Sequence, residues 1–436
     1  MNLPFFSSKK IPTAGRFLGA VLPLLSAPFF AGICLAGASA HAENTQDQGI
    51  LSLDQAVQLT LEQHPQLRAF MHQREGYQGT IEQVGAGARP TVGLTVEDFA
   101  GGDEYSGFDS AQSTLSISWI AQGARIDRRI QVAQVTASQV DIQRQIEALD
   151  LSAQTARLFV QALVEKQRLM LAQQAIQQAK KTVLAIKKRV DAGSSPDFER
   201  LQAEVELAQR ELETEDLQHV LKSTRYQLGA QWGENRTNYR LIGELFKIPT
   251  TVDVEQQFDQ LKQNPKLALL ATQQRIAESE IELARIETKP QWQFSVGVRR
   301  YEATDDFGMV AGVSVPLGSD RSSAGKIRRL QAQQDQYASE SEVIQRHLET
   351  QLYVLLQEIK HSQHVIETLQ QRILPALKSA QAQATQAYES GKLGYQPWIS
   401  ILNKKLGAQQ DLLSAFEAIH LQHIELQRLT GTALTF

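Results

Sequence analysis

Cysteine is almost absent from this chain. The single cysteine, Cys34, lies in an N-terminal apolar segment that we expect to be removed, which leaves the mature chain without thiols. Disulfide-stapled folds and thiolate metal sites are therefore excluded. Ile33 stands directly before Cys34, where a lipoprotein signal needs a small residue, so we expect no lipid anchor.

Long apolar runs and an excess of basic residues are also absent after that segment. No run of about 18 apolar residues occurs there, so the sequence predicts no membrane-spanning helix. The formal net charge is −4, or −7 once the three basic residues of the N-terminal segment are removed. Because a mildly acidic chain matches nucleic acid poorly, we expect no nucleic-acid partner.

Recognisable catalytic chemistry is missing as well. The sequence has no phosphate-binding glycine loop and no metalloprotease helix motif, so we expect no enzyme activity, catalytic residue or cofactor. Two histidine pairs, His361 with His364 and His420 with His423, are each three residues apart and could share a helix face. Without cysteine or a carboxylate cluster beside them, we interpret them as surface or seam histidines, with metal binding as the alternative.

What is present begins with a targeting signal. Residues 17–35 are apolar, three basic residues precede them, and small residues stand at alternate positions up to Ala42. This order is typical of a secretory signal peptide. We expect residues 1–42 to be cleaved off, after Ala42 or, alternatively, after Ala40.

The remaining chain contains an internal repeat. Five landmarks of the first half recur in the same order in the second half, 197 to 202 residues later. The pairs are Pro65 with Pro265, Pro90 with Pro290, Ser116 with Val313, Gly193 with Gly391, and Gly229 with Gly431. This predicts two structural repeats, 43–245 and 246–436, each made of a helix, two strands, a long helix, a turn and a return helix.

Proline positions and composition indicate the helix lengths. The first helix of each repeat is expected over residues 54–85 and 254–288, each ended by a proline. Residues 124–191 contain no proline and are rich in helix formers, which predicts a helix of about 100 Å. Its counterpart, 325–390, contains Pro375, where we expect a kink or a break.

Apolar residues in both long helices follow the alternating three- and four-residue spacing of a coiled coil. The first stripe is Ile176, Ala179, Val183, Ile186 and Val190, and the second is Ile366, Leu369, Ile373, Ala376 and Ala380. Because the stripes are thin and contain alanine, we expect closely paired helices whose other faces are polar.

Four short segments alternate apolar and small polar residues, which is the period of a strand with one apolar face. The apolar positions are Val92, Leu94, Val96, Leu115, Ile117, Trp119, Trp292, Phe294, Val296, Val298, Val313 and Val315. In a membrane barrel these residues would face lipid and the polar ones a watery lumen. A small soluble sheet packed on a helix is the alternative, but the small polar face and the tryptophans near strand ends favour the barrel.

Four strands are too few to close a barrel around an open lumen. Strand edges left unpaired in lipid are not tolerated, so we expect the strands to be shared among identical chains. Three chains would supply twelve strands, an even number within the known range.

Three stretches resemble the outer-membrane efflux protein family, which is TolC-like. Residues 51–56, followed by His64 and Pro65, resemble the start of that family's domain. Residues 201–208 resemble the return helix of its first repeat, and 311–317 resemble the second-repeat strand of the branch that serves heavy-metal and drug efflux. The likeness covers about residues 50–433.

The resemblance implies a mainly α-helical fold with a small β part. Long helical hairpins would form a periplasmic α-barrel, and four strands per chain would join a twelve-stranded transmembrane β-barrel in a homotrimer. Family members are passive exit ducts for small solutes, such as metal cations or drugs, or for secreted cargo. They dock with a periplasmic adaptor (membrane fusion) protein and an inner-membrane pump, here expected to be of the RND type. The implied location is the outer membrane, with most of the mass in the periplasm, and the cargo stays open.

In such a protein the turns after the long helices form the periplasmic tip. Gly193 and Gly391 are candidates for ending the helices in left-handed backbone and for contacting the adaptor. Tyr395 and Trp398 either contact the adaptor as well or only pack the turn.

Acidic residues near this turn often face the pore entrance in the family. Asp197 and Glu199 fit that position in the first repeat, where a ring of carboxylates would favour cations. Alternatively, Asp197 only begins a helix, where a negative charge suits the dipole. The second repeat has Pro397 and Ser400 where acids are common, which argues against a second acidic ring.

Two other functions remain as alternatives. A periplasmic adaptor also has a long coiled-coil hairpin, but it would carry one hairpin flanked by β-rich domains, whereas this chain has two in tandem. A periplasmic scaffold without its own pore should fractionate without detergent.

Overall fold

The computed structural model describes residues 49–105, 107–235, 238–249, 253–316 and 321–432. The predicted signal peptide, residues 1–42, lies outside this part of the chain together with its cleavage sites at Ala40 and Ala42. The same is true of residues 43–48, the predicted start of the first repeat.

The first half runs from a short strand to a long helical hairpin. Its elements are β1 Ile50–Leu51, α1 Leu53–Gln63, α2 Pro65–Gly85, β2 Thr91–Glu97, β3 Gln112–Ile120, α3 Gly123–Asp191 and α4 Asp197–Ala230. The proline-free run is α3, an unbroken helix of 69 residues. At 1.5 Å per residue it is about 100 Å long.

The second half follows the same order. Its elements are β4 Arg240–Leu241, α5 Val254–Leu261, α6 Pro265–Glu287, β5 Gln293–Tyr301, β6 Asp306–Ser314, α7 Arg321–Thr368, a π-helical turn Leu369–Ile373, α8 Leu374–Glu389 and α9 Tyr395–Thr430. The expected mainly α-helical fold with a small β part is confirmed. The repeat boundaries themselves, 43–245 and 246–436, stay a prediction.

Each expected first helix is in fact two helices. The break lies at His64 in the first half and at Asn264 in the second, whose ψ angles of 128° and 127° are not helical, and both residues are followed by proline. A proline disfavours helix in the residue before it but suits the first turn of the next helix. Both residues also cap that next helix, because His64 Nδ1 accepts from Gln66 N (3.3 Å) and Asn264 Oδ1 from Lys266 N (2.8 Å).

The segment between the repeats is tied to the start of the described chain. Strand β1 pairs in parallel with β4, and Ser52 directly after β1 begins α1 in a capping box with Gln55. The main core lies where α1, α3, α4, α7 and α9 meet. Its largest fully buried side chains include Phe159, Phe416 and Ile366.

The four longer strands form one antiparallel sheet in the order β2-β3-β5-β6. Val92 lies opposite Ile117, Ile117 opposite Val296, and Val296 opposite Ala311. Residues opposite each other in antiparallel strands point to the same face. The register therefore brings the apolar positions of all four strands onto one face.

The π-helical turn changes the second predicted coiled-coil stripe. Ile366 and Leu369 are buried, but Ile373 and Ala376 are exposed and Ala380 is half-buried, so the stripe predicted beyond Leu369 is wrong at Ile373 and Ala376. The packed stripe continues instead through Leu374, Leu377, Gln381, Ala384 and Tyr388. The turn lies directly before Pro375, whose ring and missing N–H are incompatible with a regular helix interior.

Candidate pore and membrane-facing surfaces

The apolar face of the sheet is exposed, whereas the apolar face of a sheet in a soluble protein is packed against the core. Leu94 on β2 keeps 71% of its surface accessible and Met309 on β6 keeps 81%. Ten of the twelve predicted positions are exposed, namely Val92, Leu94, Val96, Leu115, Ile117, Trp119, Trp292, Val296, Val298 and Val313. Phe294 is half-buried, and Val315 is half-buried just beyond the end of β6.

Sequence reasoning missed part of this face on β6. Phe307, Met309 and Ala311 continue the apolar positions, opposite Arg300, Val298 and Val296. The same alternation runs upstream of Val313 in the sequence and was the available signal. The predicted strand was centred too far along the chain, because β6 ends at Ser314.

Aromatic rings gather at the end of the apolar face nearest the helices. Trp119 stacks on Phe294 with ring centroids 6.0 Å apart, and Trp292 stacks on Phe294 at 6.4 Å. Both tryptophans are exposed. Amphipathic rings of this kind are enriched at the level of lipid headgroups.

The opposite face of the sheet is polar and carries one cross-strand network at its loop end. Arg299 on β5 donates from Nε to Thr114 Oγ1 (2.8 Å), from Nη1 to Gln112 Oε1 (2.9 Å) and from Nη2 to Glu97 Oε2 (2.8 Å). The network therefore crosses from β5 over β3 to β2. Sequence reasoning did not single out Arg299, which stands at a polar position of an alternating strand.

Both helical hairpins turn through the same backbone geometry. Gly193 and Gly391 adopt positive φ angles of 70° and 73°. Ser194 N donates to Arg189 O (2.8 Å), and Lys392 N donates to Ala387 O (2.9 Å). These bonds close a Schellman motif after each long helix, a position that favours glycine because it lacks a Cβ.

The predicted entrance acids lie in the first turn of α4. Asp197 is exposed and binds Arg200 through two contacts, to Nε (2.7 Å) and to Nη2 (3.1 Å). Hydrogen bonding to Arg200 lowers the pKa of Asp197, so its carboxylate stays charged. Arg200 also donates to Glu204 (2.7 Å), and Glu199 is half-exposed.

The predicted tip aromatics are buried. Tyr388 and Trp398 stack with ring centroids 4.2 Å apart and an angle of 8°, and the Arg189 guanidinium lies over the Tyr388 ring at 4.6 Å from its centroid. Trp398 is 4% exposed and donates from Nε1 to Thr385 Oγ1 (3.1 Å). Burial raises the pKa of Tyr395 to about 12. This burial favours packing of the turn over a side-chain contact with an adaptor.

Neither histidine pair belongs to a larger group of metal-binding side chains in the described part of the chain. His361 and His364 are exposed on α7, whereas His420 is buried on α9 and its Nε2 contacts Leu245 O (2.8 Å). Burial lowers the pKa of His420 and of His423. Within the described ranges, no group of three or more histidine, cysteine or acidic side chains could hold a metal ion. In the same ranges, no helix combines the length and apolarity needed to cross a membrane.

Comparison with known proteins identifies a domain and a fold. The family model described as "Outer membrane efflux protein" matches residues 56–234. A search of curated protein sequences finds no match. Residues 56–234 therefore carry the outer membrane efflux protein domain.

Solved structures resemble the chain over most of its length. A membrane protein from Pseudomonas aeruginosa superposes with a TM-score of 0.73 and 13% identity, covering 87% of this chain and 92% of that one. The outer membrane protein VceC from Vibrio cholerae gives 0.71 and 17%, covering 87% and 96%. CusC, a transmembrane channel, gives 0.69 and 14%, covering 87% and 92%. The fold is that of TolC-like outer-membrane channels.

Proposed function

We propose that this TolC-like chain of the outer membrane efflux protein family is one subunit of a homotrimeric outer-membrane channel. The channel is a passive exit duct that receives small solutes or secreted cargo from an inner-membrane pump, of the RND type, through a periplasmic adaptor. The observation that carries the proposal is the exposed apolar face of the sheet. The likeness to VceC and CusC supports the same architecture.

The apolar face of the sheet is suited to contact with lipid and not with water. Burying one valine or leucine side chain is worth about 1.5–3 kcal/mol, so an exposed sheet of such residues disfavours a soluble chain. The exposed residues occupy successive rows across all four strands, with tryptophans at the helix end. The twelve predicted positions are proposed to face lipid on this ground, together with Phe307, Met309 and Ala311.

Strand pairing supports a shared barrel. Strands β2 and β6 are the two edges of the sheet. Backbone groups of edge strands need partners within lipid, and a neighbouring copy of the chain supplies them. Three copies of the four strands make twelve. The small polar face, with its hydroxyls and glycines, would then line the lumen.

The tips of the hairpins are proposed to form the periplasmic end of the duct. Asp197 and Glu199 would place a ring of carboxylates at the entrance. Gly193 and Gly391 shape the two turns, whose exposed backbone is available to an adaptor, with Tyr395 and Trp398 packed beneath. The residual alternative is a periplasmic adaptor or scaffold, which would leave the exposed sheet face without lipid to cover it.

The proposal is tested with neighbouring substitutions on one strand. Val92→Arg charges the apolar face one row from Trp119, so its cost should lie between the about 2–4 kcal/mol of mid-membrane and the about 0–1 kcal/mol of the interface. Thr91→Arg, the matched control, charges the polar face. We expect Val92→Arg to lose detergent-stable trimer from the outer-membrane fraction and Thr91→Arg to keep it. Recovery of the unmodified mature chain as a soluble periplasmic monomer would contradict the proposal.

The entrance is tested separately by conductance. Replacing Asp197 and Glu199 together by alanine should lower the cation selectivity of the reconstituted channel. Glu215→Ala removes an exposed acid further along α4 and should leave the selectivity unchanged. Equal selectivity of the double variant and the wild type would show that neither acid lies at the pore entrance.

A further inference from the structure

We propose that Arg299 and Glu97 form a charge-balanced pair, in which each residue prevents the charge of the other from biasing ion selectivity at the loop end of the pore. The inference rests on the proposed function, because it requires the polar face of the sheet to line the lumen. It concerns the end of the duct opposite the acidic tip. Its basis is the distribution of charge on that face and the geometry of Arg299.

Charge on the polar face is confined to the loop end. The register places Thr91, Ser118, Ser295 and Gly312 in one row, and Gly93, Ser116, Gly297 and Val310 in the next. Among the described residues, these two rows carry no charged side chain. The last two rows hold Glu97, Arg299 and Asp306. An ion that follows this face therefore meets fixed charge at one level.

The guanidinium of Arg299 lies against the sheet. Its Nε and Nη1 each donate one hydrogen bond to a side chain on β3, and its Nη2 donates one to Glu97 on β2, all at 2.8 to 2.9 Å. Thr114, which the arginine crosses, is only 6% exposed. On the other side the register brings Gly308 opposite Arg299, and the ring of Tyr301 occupies the space beside this glycine. Arg299 is thus directed toward β3 and β2.

The pair faces water on its acidic side. The side chain of Arg299 is 25% exposed, whereas that of Glu97 is 48% exposed. Since the two opposite charges are 2.8 Å apart, their fields largely cancel at the distance of a passing ion. Removing either partner would therefore uncover a full unit charge of the other sign.

The geometry yields opposite expectations for two neutral variants. Arg299→Gln uncovers Glu97, so the cation-to-anion permeability ratio should rise. Glu97→Gln uncovers Arg299, so the ratio should fall. One unit charge about 10 Å away changes the concentration of each ion about twofold in water, in opposite directions, which gives about a fourfold change in the ratio for each charge, and a variant trimer uncovers one charge per chain. The double variant should return close to the wild-type ratio.

The measurement is the zero-current potential of the full-length mature trimer across a planar bilayer under a potassium chloride gradient. Both single effects should be largest near 10 mM salt, where the Debye length is about 30 Å, and should vanish near 1 M, where it is about 3 Å. Arg299→Lys separates charge from hydrogen bonding. It should keep the wild-type ratio while lowering the temperature at which the trimer dissociates, because a lysine cannot make all three contacts.

The outcomes separate this inference from the proposed function. A wild-type chain that forms no conducting pore overturns both. Conducting variants whose ratios equal the wild-type value, or shift in the same direction, overturn the charge-balanced pair and leave the channel intact. If Arg299→Gln does not assemble, Glu97→Gln and the double variant still decide the question.

Discussion

The long first helices of the two hairpins are out of step by one residue, and the difference is located at the π-helical turn. Before this turn, buried residues of α3 and α7 correspond at an offset of 197, and beyond it α3 and α8 correspond at 198. The pairs before the turn include Leu151 with Leu348, Thr155 with Leu352, and Phe159 with Leu356, and those after it include Ile186 with Ala384 and Gly193 with Gly391. The π turn therefore accommodates one additional residue and returns the following helix to the same packed face.

The two tips differ in chemistry although their backbones turn alike. The tip of the first hairpin is polar, with Asp197 and Glu204 held by Arg200 on an exposed surface. The tip of the second hairpin is apolar, with Tyr388 and Trp398 stacked and buried. One turn geometry, set by glycine, therefore carries an exposed ion-pair group in one repeat and a buried aromatic pair in the other.

The largest expected effect is at the packed tip. Trp398→Ala removes a buried ring and leaves a cavity beside Tyr388, which should lower the free energy of local unfolding by about 3–5 kcal/mol. Hydrogen exchange of the amides in the turn between α8 and α9 measures it. Phe198→Ala, at an exposed position of the first tip, is the control and should change exchange little. Equal effects of the two variants would contradict the distinction between the tips.

The next effect tests whether the π turn is what makes proline tolerable. Gln177 in α3 corresponds to Pro375 at the offset of 198 and is exposed in an unbroken helix. Gln177→Pro should lower the stability of α3 by about 3 kcal/mol or more, since it removes a helix hydrogen bond and clashes with the preceding turn. Gln177→Ala is the control for loss of the side chain. Urea unfolding followed by circular dichroism compares the three chains.

The reverse substitution completes this test. Pro375→Ala should change stability by less than about 1 kcal/mol, because the extra residue and hence the π turn remain. Increased protection of the amides of 369–375 to the level of α3 would show that proline alone, not the extra residue, causes the turn.

Much of the fold could be predicted because it depends on local pattern. The period-two alternation predicted the faces of the sheet, and the lack of proline between residues 90 and 196 predicted α3. The π turn could not be predicted from the apolar pattern, because Ile373 and Ala376 continue the three- and four-residue spacing from Leu369, whereas Leu374 lies five residues after it. Only packing against α9 selects between them. The change of repeat offset from 197 to 198 was the signal that could have revealed it.

The candidate site was predictable to a smaller degree. Acids near a tip turn are visible in sequence, but the ion pair of Asp197 with Arg200 depends on side-chain geometry. Tyr395 and Trp398 were ambiguous, since aromatic residues serve both contacts and cores. The hydrogen-bond network of Arg299 could not be predicted from the sequence, because its partners lie on two other strands, up to 202 residues away in the chain.

A smaller effect is expected at Glu165, where the repeats differ inside the helix pair. Glu165 on α3 is 3% exposed, whereas the corresponding residue of α7 is the neutral Ser362. Its Oε1 accepts from Thr224 (3.0 Å) and Gln161 (3.0 Å), and its Oε2 is buried without a hydrogen bond. Burial raises its pKa, which the neighbouring Glu417 on α9 raises further and Arg168 on α3 lowers.

A raised acid pKa makes the folded chain bind the proton more tightly than the unfolded chain. Stability therefore falls as pH rises through the window between the ordinary glutamate pKa and the raised one. Glu165→Gln should stabilise the helix pair at neutral pH by about 1 kcal/mol, and the difference should vanish below the ordinary pKa. Urea midpoints across this pH range measure it, with Glu215→Gln as the exposed control. A difference independent of pH would contradict a charged, buried Glu165.

The smallest effect is expected at the exposed tip, where ion pairs contribute little to stability but can control charge. Hydrogen bonding to Arg200 lowers the pKa of Asp197, so the carboxylate stays charged until the pH falls through that lowered value. Arg200→Ala should move this loss of charge to higher pH while leaving the thermal stability of the trimer unchanged. The readout is the cation selectivity of the reconstituted channel as a function of pH. Lys188→Ala removes an equal charge from the last turn of α3 and should leave the midpoint in place. The second tip consists of packed aromatic rings, so Trp398→Ala should not change the pH midpoint of cation selectivity. If Trp398→Ala moves this midpoint as much as Arg200→Ala does, acid alters the shape of the tip and not the charge of Asp197.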